Sequence, residues 1–307
     1  MRIALLSDVH ANLVALEQVI ADARQQGADE FWFLGDLLGY GPQPKECIFF
    51  LEDLPVAPEC WLSGNHDYAI ALFVKLLPKL TFETPTIDRL GVNDPEAQLA
   101  VQLVLDQAGQ RAAAIQAGEL SPLFGARMND YRDKFPMWQI AAPRVCLAHG
   151  VACAARFDPK NVIGGASYLR EHARANASLN YLESNGQPAH LLIVGHSHIP
   201  FFWRANRASA GYKWSNLLEP MGGVGREFFN HPDGISLDNL EQHPVVMNPG
   251  SVGQPRDHDP RAGYALLDLE ANKVWFRRVE YDVSKTQQIM RAKNYPEALI
   301  TRLEQGQ

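Results

Sequence analysis

The stretch Ile3-Ala4-Leu5-Leu6-Ser7-Asp8-Val9-His10 is a short apolar run that ends in a carboxylate and an imidazole. An apolar run of this length with a polar boundary is typical of a buried strand that leads into a loop. The same pattern returns in Phe31-Trp32-Phe33-Leu34-Gly35-Asp36 and in Cys60-Trp61-Leu62-Ser63-Gly64-Asn65-His66-Asp67. The sequence therefore predicts three strands, each of which delivers polar side chains where it ends.

Helical patterns separate these predicted strands. Asn12 is a suitable N-cap for a helix whose apolar residues follow at helical spacing, and Gly27 is expected to end that helix. Pro44 is expected to open a second helix that continues to about Leu51. The order strand, helix, strand, helix, strand predicts a parallel or mixed sheet with right-handed crossovers.

The next segment changes character. Residues of about 70–140 carry apolar side chains at helical spacing among many alanines and glutamines. A loop is expected near Thr81 to Pro95. We interpret the segment as a helical insertion that could cap a cleft or form a dimer face.

Strand patterns resume after this insertion. Val145–Ala148 ends at His149, and Leu191–Val194 ends at Gly195-His196-Ser197-His198. A helix is predicted between these strands at Ala166–Leu182. The polar residues again follow directly after an apolar run, as they do in the first part of the chain.

The last third of the chain is rich in short β-like segments. We expect a loop and β insertion at about 203–245 and a terminal helix from Ser284 to about Glu304. The first and last halves are expected to form the two sheets of one sandwich covered by helices. This gives a single domain of residues 1–283 followed by a helical tail of residues 284–307.

Composition narrows the class of protein. Hydrophobic residues make up 46% and charged residues 21%, which is ordinary for a globular domain. A net charge of -7 argues against an obligate nucleic-acid partner. The cysteines form no CxxC pair, and no apolar run has transmembrane length, so we expect a cytoplasmic protein without disulfides that does not span a membrane.

The polar motifs at the strand ends carry the chemistry. Asp8 and His10 are two residues apart, and in an extended segment such side chains point the same way. One motif alone is a common polar strand end, but all of them together indicate one site, because ligands of open α/β sheets bind at the carboxyl ends of strands. Imidazole and carboxylate ligands suit zinc, iron or manganese. Two such ions would suit the in-line hydrolysis of a phosphate ester.

The blocks at residues 8–10 (DVH), 35–42 (GDLLGYGP), 63–67 (SGNHD), 148–150 (AHG) and 195–198 (GHSH) resemble, in this order, the five blocks of the calcineurin-like metallophosphoesterase superfamily. The resemblance implies a four-layer αββα sandwich of two mixed β-sheets flanked by helices. It also implies a centre of two divalent or trivalent metal ions, with manganese, iron or zinc as the expected metals.

The same resemblance implies a role for each residue in the blocks. The metal ligands fall into two sets, which are Asp8, His10 and His198 for one metal and Asn65, His149 and His196 for the other. Asp36 would bridge both metals, with a hydroxide as the second bridge and the attacking nucleophile. His66 would be the general acid that protonates the leaving oxygen, a role suited to an imidazole because its ordinary pKa is near neutral.

A glycine-rich stretch, Asn248-Pro249-Gly250-Ser251-Val252-Gly253-Gln254-Pro255-Arg256, follows a predicted strand. It resembles a loop near the metals in a bacterial branch of the superfamily that contains phosphodiesterases and diadenosine-tetraphosphatase-like proteins. Its backbone N–H groups could face an anion. Arg256 could pair with a substrate phosphate, and Ser251 is a second candidate for substrate binding. The alternative for Arg256 is a surface arginine in a turn.

The second block departs from one branch of the superfamily. Protein Ser/Thr phosphatases carry GDxVDRG there, and this chain has Gly39 and Tyr40 at the second aspartate and the arginine. This departure argues against a dedicated phosphoprotein phosphatase. We therefore expect hydrolysis of small phosphodiesters or nucleotides by a monomer or homodimer. The alternatives are a phosphomonoesterase, including a broad-specificity phosphoprotein phosphatase, and a metal-binding scaffold without turnover.

Overall fold

The computed structural model describes residues 1–76, 107–124, 136–152, 168–208, 211–219 and 225–307. Within these ranges the strands form two sheets. The strands are β1 (Arg2–Leu6), β2 (Ala28–Phe33), β3 (Trp138–Ala142), β4 (Val145–Ala148), β5 (Leu191–Val194), β6 (Phe201–Ala208), β7 (Gly211–Leu218), β8 (Ile235–Ser236), β9 (Val245–Asn248), β10 (Ala262–Asp268) and β11 (Lys273–Val279). The helices are α1 (Leu13–Gln25), α2 (Pro44–Glu52), α3 (Asn65–Leu76), α4 (Gln107–Phe124), α5 (His172–Ser184), α6 (Val283–Ala292) and α7 (Glu297–Gln305).

Both sheets are mixed. The first has the strand order β2-β1-β10-β11-β8, in which β1 and β2 are parallel and β1 and β10 are antiparallel. The second has the order β3-β4-β5-β9-β6-β7, in which β4, β5 and β9 run parallel. The parallel strands of each sheet carry their polar motifs at the carboxyl end, so the fold collects these motifs at one edge of the sandwich.

The core lies in three layers of apolar side chains. One cluster fills the space between the sheets. The side chains of β1 alternate in direction, and Ile3 and Leu5 face the second sheet. Ala4 and Leu6 face the opposite way, toward the helices α1 to α4. On the far side of the second sheet, Leu192 and Val194 pack against α5. These layers confirm the predicted four-layer αββα sandwich.

The residues predicted to begin and end the first two helices do so in the structure. Asn12 caps α1, because its side-chain oxygen accepts a hydrogen bond from the Ala15 N–H at 3.2 Å. Gly27 follows the helix with a φ of +80°, a conformation that glycine adopts without strain. Pro44 opens α2, as its fixed φ favours.

The structure corrects several boundaries. Cys60–Leu62 is no strand: a short 3₁₀ turn at Pro58–Cys60 is followed by a single bridge between Phe33 and Trp61. The predicted terminal helix is two helices, α6 and α7, because Pro296 cannot continue α6. The helix predicted at Ala166–Leu182 begins at His172.

The assignment of the two halves of the chain to separate sheets was also wrong. The late strands β10 and β11 pair with β1 in the first sheet, whereas β6, β7 and β9 belong to the second. The sheet to which a strand belongs is decided by its pairing partner in the tertiary structure. The sequence pattern of a strand does not specify that partner.

The insertion contains the expected helix, α4, which packs against α2, α3 and α7. Its end also forms the edge strand β3. The loop predicted near Thr81 to Pro95 lies outside the described residues. Cys47, Cys60 and Cys146 are buried and unpaired, as expected of core cysteines. No helix in the described ranges is both long enough and apolar enough to cross a bilayer.

Candidate metal centre

The loops that follow β1, β2, β4 and β5, together with the start of α3, meet at one buried point. Two overlapping groups of potential metal ligands lie there, and within each group the ligand atoms are within 4.8 Å of one another. Asp36 belongs to both groups. The groups are Asp8, His10, Asp36 and His198, and Asp36, His149 and His196. This division matches the two sets of ligands that the resemblance implies.

The predicted ligand Asn65 and the predicted acid His66 lie at the same point, on the first turn of α3. The Asn65 Oδ1 atom is 3.2 Å from His149 Nε2. The His66 ring is nearly buried and packs edge-on against the His10 ring, with centroids 4.9 Å apart. The structure therefore brings together all the residues that the resemblance assigns to metals and to proton transfer.

The backbone at these residues is left-handed, which is costly for residues other than glycine. The φ angles are +53° at Asp8, +47° at His10, +57° at Asp36, +64° at His196 and +58° at His198. Each such residue costs about 1–3 kcal/mol and is typical of functional sites. The expectation of an extended segment at residues 8–10 was therefore wrong. The same backbone conformation places His196 and His198 in different ligand groups.

Hydrogen bonds set the tautomers of the histidines. Three of them place Nδ1 near a backbone carbonyl, with distances of 2.8 Å for His10 and Leu38, 2.8 Å for His149 and Leu34, and 2.6 Å for His198 and Gln254. A carbonyl can only accept, so we assign the ring proton to Nδ1. In the neutral form of each ring, Nε2 then faces the centre with its lone pair, which is the usual orientation of metal-binding histidines.

Buried atoms without ordinary partners test whether a metal fits. Asp36 Oδ2 is buried and makes no standard hydrogen bond with a described residue. It lies 3.3 Å from His149 Nε2 and 3.6 Å from His10 Nε2, so it points between the two groups. Buried polar atoms of this kind require an explanation, and cations among these donors provide one. The residues fit a centre of two metal ions.

The remaining carboxylate oxygens are held in place. Asp8 Oδ2 accepts a hydrogen bond from the Ser7 hydroxyl at 2.5 Å and one from the His196 N–H at 3.1 Å. Asp36 Oδ1 accepts the His66 N–H at 2.8 Å. These bonds orient both carboxylates toward the centre and tie the backbone of His66 to Asp36.

Burial and neighbouring charges shift the pKa values of the cluster. Burial lowers the pKa of His10, His196 and His198 well below the ordinary value, which keeps these rings neutral and able to act as ligands. Burial, with the Asp36 carboxylate adding to it, raises the pKa of Asp8 to about 7. The proton affinity of Asp8 therefore opposes metal uptake near neutral pH.

His149 differs from the other histidines. Burial would lower its pKa, but the adjacent Asp36 carboxylate outweighs burial and raises the pKa to about 9. Conversely, burial would raise the pKa of Asp36, but His149 and His66 hold it well below the usual range. Without metal, a proton on His149 Nε2 offsets the Asp36 charge, and a metal ion would replace that proton.

Asp67 is an organising residue that sequence reasoning missed. Its carboxylate accepts the N–H groups of Asp36, Leu38 and Gly64, each at 2.9 Å. It thereby ties the loop after β2 to the start of α3. Its position in the first turn of α3, where an acidic side chain accepts N–H groups, was the available signal.

The glycine-rich stretch lies against the first loop rather than open to an anion. Five of its N–H groups are used within the fold: Gly250 donates to Asn248, Val252 to Ser7, Gly253 to Asp8, Gln254 to Ser251 and Arg256 to His198. The expectation of an anion-binding turn was therefore wrong. Ser251 also donates its hydroxyl to Asp8 O at 2.8 Å, so the structure gives it a role in shaping the loop.

Arg256 lies beside the metal groups, half-buried. Its guanidinium is 5.5 Å from the centroid of the Tyr40 ring and donates to Gln254 Oε1 at 2.8 Å. No carboxylate of the described residues is close enough to form an ion pair with it. Tyr168, also missed from sequence, stacks on the His196 ring at 4.2 Å, and Arg170 lies 4.5 Å from the Tyr168 centroid.

Comparison with known sequences gives a family match. A family model described as calcineurin-like phosphoesterase matches residues 1–200. An uncharacterized protein of Methanocaldococcus jannaschii is 27% identical over an alignment that covers 99% of this chain and 98% of that protein.

Solved structures give the same result. A metallophosphoesterase from Sphaerobacter thermophilus matches with a TM-score of 0.66 and 31% identity over 100% of this chain and 99% of the other. A hypothetical protein from Pyrococcus horikoshii has a TM-score of 0.58 and 20% identity, with 100% and 98% of the chains covered, and supports the fold alone. Since the family match at residues 1–200 contains all five motif blocks and the structural match spans the whole chain, this chain belongs to the calcineurin-like phosphoesterase family and is a metal-dependent phosphoesterase.

Proposed function

We propose that this chain hydrolyses small phosphodiesters or nucleotides, with two ions of manganese, iron or zinc as its cofactors. The single observation that carries the proposal is Asp36, whose buried Oδ2 atom points between two groups of histidine and carboxylate ligands. One carboxylate shared by two such groups suits a dinuclear centre. The net charge of -7 favours a small-molecule substrate over a nucleic acid.

The proposed ligands divide as the two groups do. Asp8, His10 and His198 would hold one ion, Asn65, His149 and His196 would hold the other, and Asp36, which belongs to both groups, would serve both. When bound, such a pair of ions supplies hydroxide at neutral pH and offsets the charge of the phosphoryl oxygens. That hydroxide would attack phosphorus directly, so no covalent phosphoenzyme would form.

His66 is the proposed general acid. Its backbone N–H is fixed by Asp36 Oδ1 at 2.8 Å, and its ring packs against those of His10 and Tyr40. This contact places an imidazole directly beside the ligand cluster. From there it donates a proton to the departing alkoxide or phenoxide, which lowers the barrier most for leaving groups of high pKa.

Arg256 is the proposed phosphate-binding residue. Its positive charge lies close enough to Asp8 and His198 to act on their pKa values, and it forms no ion pair with a carboxylate of the described residues. A guanidinium in this setting can bind a phosphoryl oxygen through two N–H groups. Tyr168 and Arg170 lie on the His196 side of the centre and extend the candidate substrate surface.

The test compares bis-p-nitrophenyl phosphate with p-nitrophenyl phosphate on metal-free protein refilled with Mn²⁺. A higher kcat/KM for the diester is expected. A preference for the monoester would instead favour the phosphomonoesterase alternative, and phosphopeptides would be assayed next. Turnover of neither ester, and of no nucleotide, by protein with both ions bound would favour the scaffold.

Arg256→Gln provides a second arm of the same test. It should raise KM about tenfold or more, since a charged hydrogen bond to substrate contributes roughly 1.5–3 kcal/mol. Arg207→Gln, which removes an exposed arginine from β6, is the matched control and should leave KM unchanged. Equal KM values for both variants would contradict the role proposed for Arg256.

A further inference from the structure

Gln116, in the insertion helix α4, is completely buried and binds the turn after the second motif. Its Oε1 atom accepts the Gly39 N–H at 2.8 Å, and its Nε2 group donates to the Gly41 carbonyl at 2.6 Å. One carboxamide therefore holds both ends of the segment Gly39–Gly41. A buried amide that satisfies a donor and an acceptor in this way fixes geometry, because either group would be costly to leave unpaired.

The turn itself has little freedom of position. Gly39 has a φ of +92° and Tyr40, which has a side chain, has a φ of +54°. A Cβ atom at Gly39 would lie 2.5 Å from His66 Nδ1, and one at Gly41 would lie 2.2 Å from the His10 carbonyl oxygen. The backbone of this turn thus lies directly against the residue proposed as the general acid.

Tyr40, at the centre of the turn, faces the reacting groups. Its ring lies 4.4 Å from the His66 ring and 4.7 Å from the His10 ring, measured between centroids. The Arg256 guanidinium lies 5.5 Å from the same ring. Any movement of the turn would therefore move the neighbours of both His66 and Arg256.

The C-terminal tail holds the turn from a second point. Lys293 donates from Nζ to the Pro42 carbonyl at 2.6 Å and to Glu119 Oε2, on α4, at 2.9 Å. Tyr40 also packs in a cluster with Met290, Leu299 and other apolar residues of α6 and α7. The insertion helix and the tail thus meet at the turn, although neither contributes a side chain to the ligand groups.

We propose that Gln116 is a positioning residue that fixes the Gly39–Gly41 turn and so holds Tyr40 against His66. This inference rests on the proposed function, because it assigns the effect to the proton that His66 delivers. It gives the insertion a role that its sequence does not suggest. The insertion helix sets the geometry of the general acid from a distance.

The test uses Gln116→Leu, which removes both hydrogen bonds but keeps the volume and apolar packing. Kcat for aryl and alkyl esters with poor leaving groups should fall about 10- to 100-fold more than kcat for p-nitrophenyl esters, since misplacement of about 1 Å costs about 10²-fold. The content of bound metal should stay the same.

Gln287→Leu is the matched control. Gln287 is also a buried glutamine, and it donates to the Ile300 carbonyl at 2.9 Å between α6 and α7 without bonding the turn. It should lower Tm as Gln116→Leu does but reduce kcat equally for all esters. A loss that is independent of the leaving group in both variants would overturn the positioning role.

A second readout does not depend on turnover. NMR of the Zn²⁺-loaded protein should show the His66 ring protons shifted in Gln116→Leu, because the Tyr40 ring current no longer acts from the same place, and unshifted in Gln287→Leu. The Gly39 amide should exchange with solvent faster only in the Gln116 variant. If wild-type protein hydrolyses no phosphoester, the proposed function fails, and unchanged His66 resonances would separately reject the role of Gln116.

Discussion

The Nε2 atoms of His10 and His198 lie 3.0 Å apart and face each other in a buried site. Both rings carry their proton on Nδ1, where backbone carbonyls accept it, and burial keeps both rings neutral by lowering their pKa. Two lone pairs at this distance repel one another unless a cation lies between them. The arrangement therefore favours metal-bound protein over metal-free protein.

Metal binding should stabilise the fold measurably. Adding Mn²⁺ or Zn²⁺ to metal-free protein at about 100 times its Kd should add about 2.7 kcal/mol to the free energy of unfolding. This corresponds to a rise in Tm of about 5 °C, which calorimetry would detect. Chelation should reverse the rise.

The variant His198→Ala should lose most of this metal-dependent rise and also lose activity, because it removes a ligand from the group around Asp8. The control is His231→Ala, which removes a partly exposed histidine outside the cluster. A full rise in Tm and full turnover in His198→Ala would refute the proposed ligand set.

Metal uptake should release protons in a pH-dependent number. A ligand with a raised pKa must lose its proton first, so affinity should rise with pH through about 7 for Asp8 and up to about 9 for His149. At pH 8 we expect release of about one proton, from His149, and at pH 6 about two. His10, with its lowered pKa, should release none in this range.

Calorimetric titration in buffers of different ionisation enthalpy measures this number directly. Asp8→Asn should remove the step near pH 7 while weakening affinity at all pH values, because the amide has no proton to release. The same proton count at pH 6 and pH 8 in the wild-type protein would contradict the assignment.

His66→Ala should retain its metals and lose turnover. General acid catalysis contributes about 10²–10⁴-fold, and the loss should be largest for esters with poor leaving groups. Steady-state kinetics on p-nitrophenyl and alkyl esters, together with metal analysis, would check both parts. Equal losses on the two kinds of ester would exclude proton donation by His66.

Asp67→Ala should lower the free energy of unfolding. It leaves the N–H groups of Asp36, Leu38 and Gly64 buried without an acceptor, and each such group costs about 1–3 kcal/mol. We expect at least about 3 kcal/mol of destabilisation in urea unfolding. Asp53→Ala, at an exposed position after α2, should change stability by less than about 0.5 kcal/mol. Similar values for the two variants would show that the three bonds to Asp67 contribute little.

Much of the fold could be predicted from the spacing of apolar residues and from the residues that begin or end helices. Asn12, Gly27 and Pro44 marked helix boundaries that the structure confirms, because capping and backbone freedom are local properties. The strand at Cys60–Leu62 was predicted wrongly, since a short apolar run next to a sheet resembles a strand whether or not it pairs. The pairing partners of the strands could not be predicted, because β1 pairs with β10, which lies near the other end of the chain.

The sequence by itself determined the chemistry of the site: histidine, carboxylate and amide groups that directly follow short apolar runs, in an order that specifies the family. Only the tertiary structure decided how they meet. Because the backbone is left-handed at His196 and His198, these two histidines belong to different ligand groups although they are only two residues apart. The alternation of side chains in a strand would place them on the same side. Gln116 and Lys293 reach the Tyr40 turn from segments distant in sequence. Residue identity sets what a side chain can bind, whereas long-range packing sets where it lies, because no local pattern encodes contacts between distant segments.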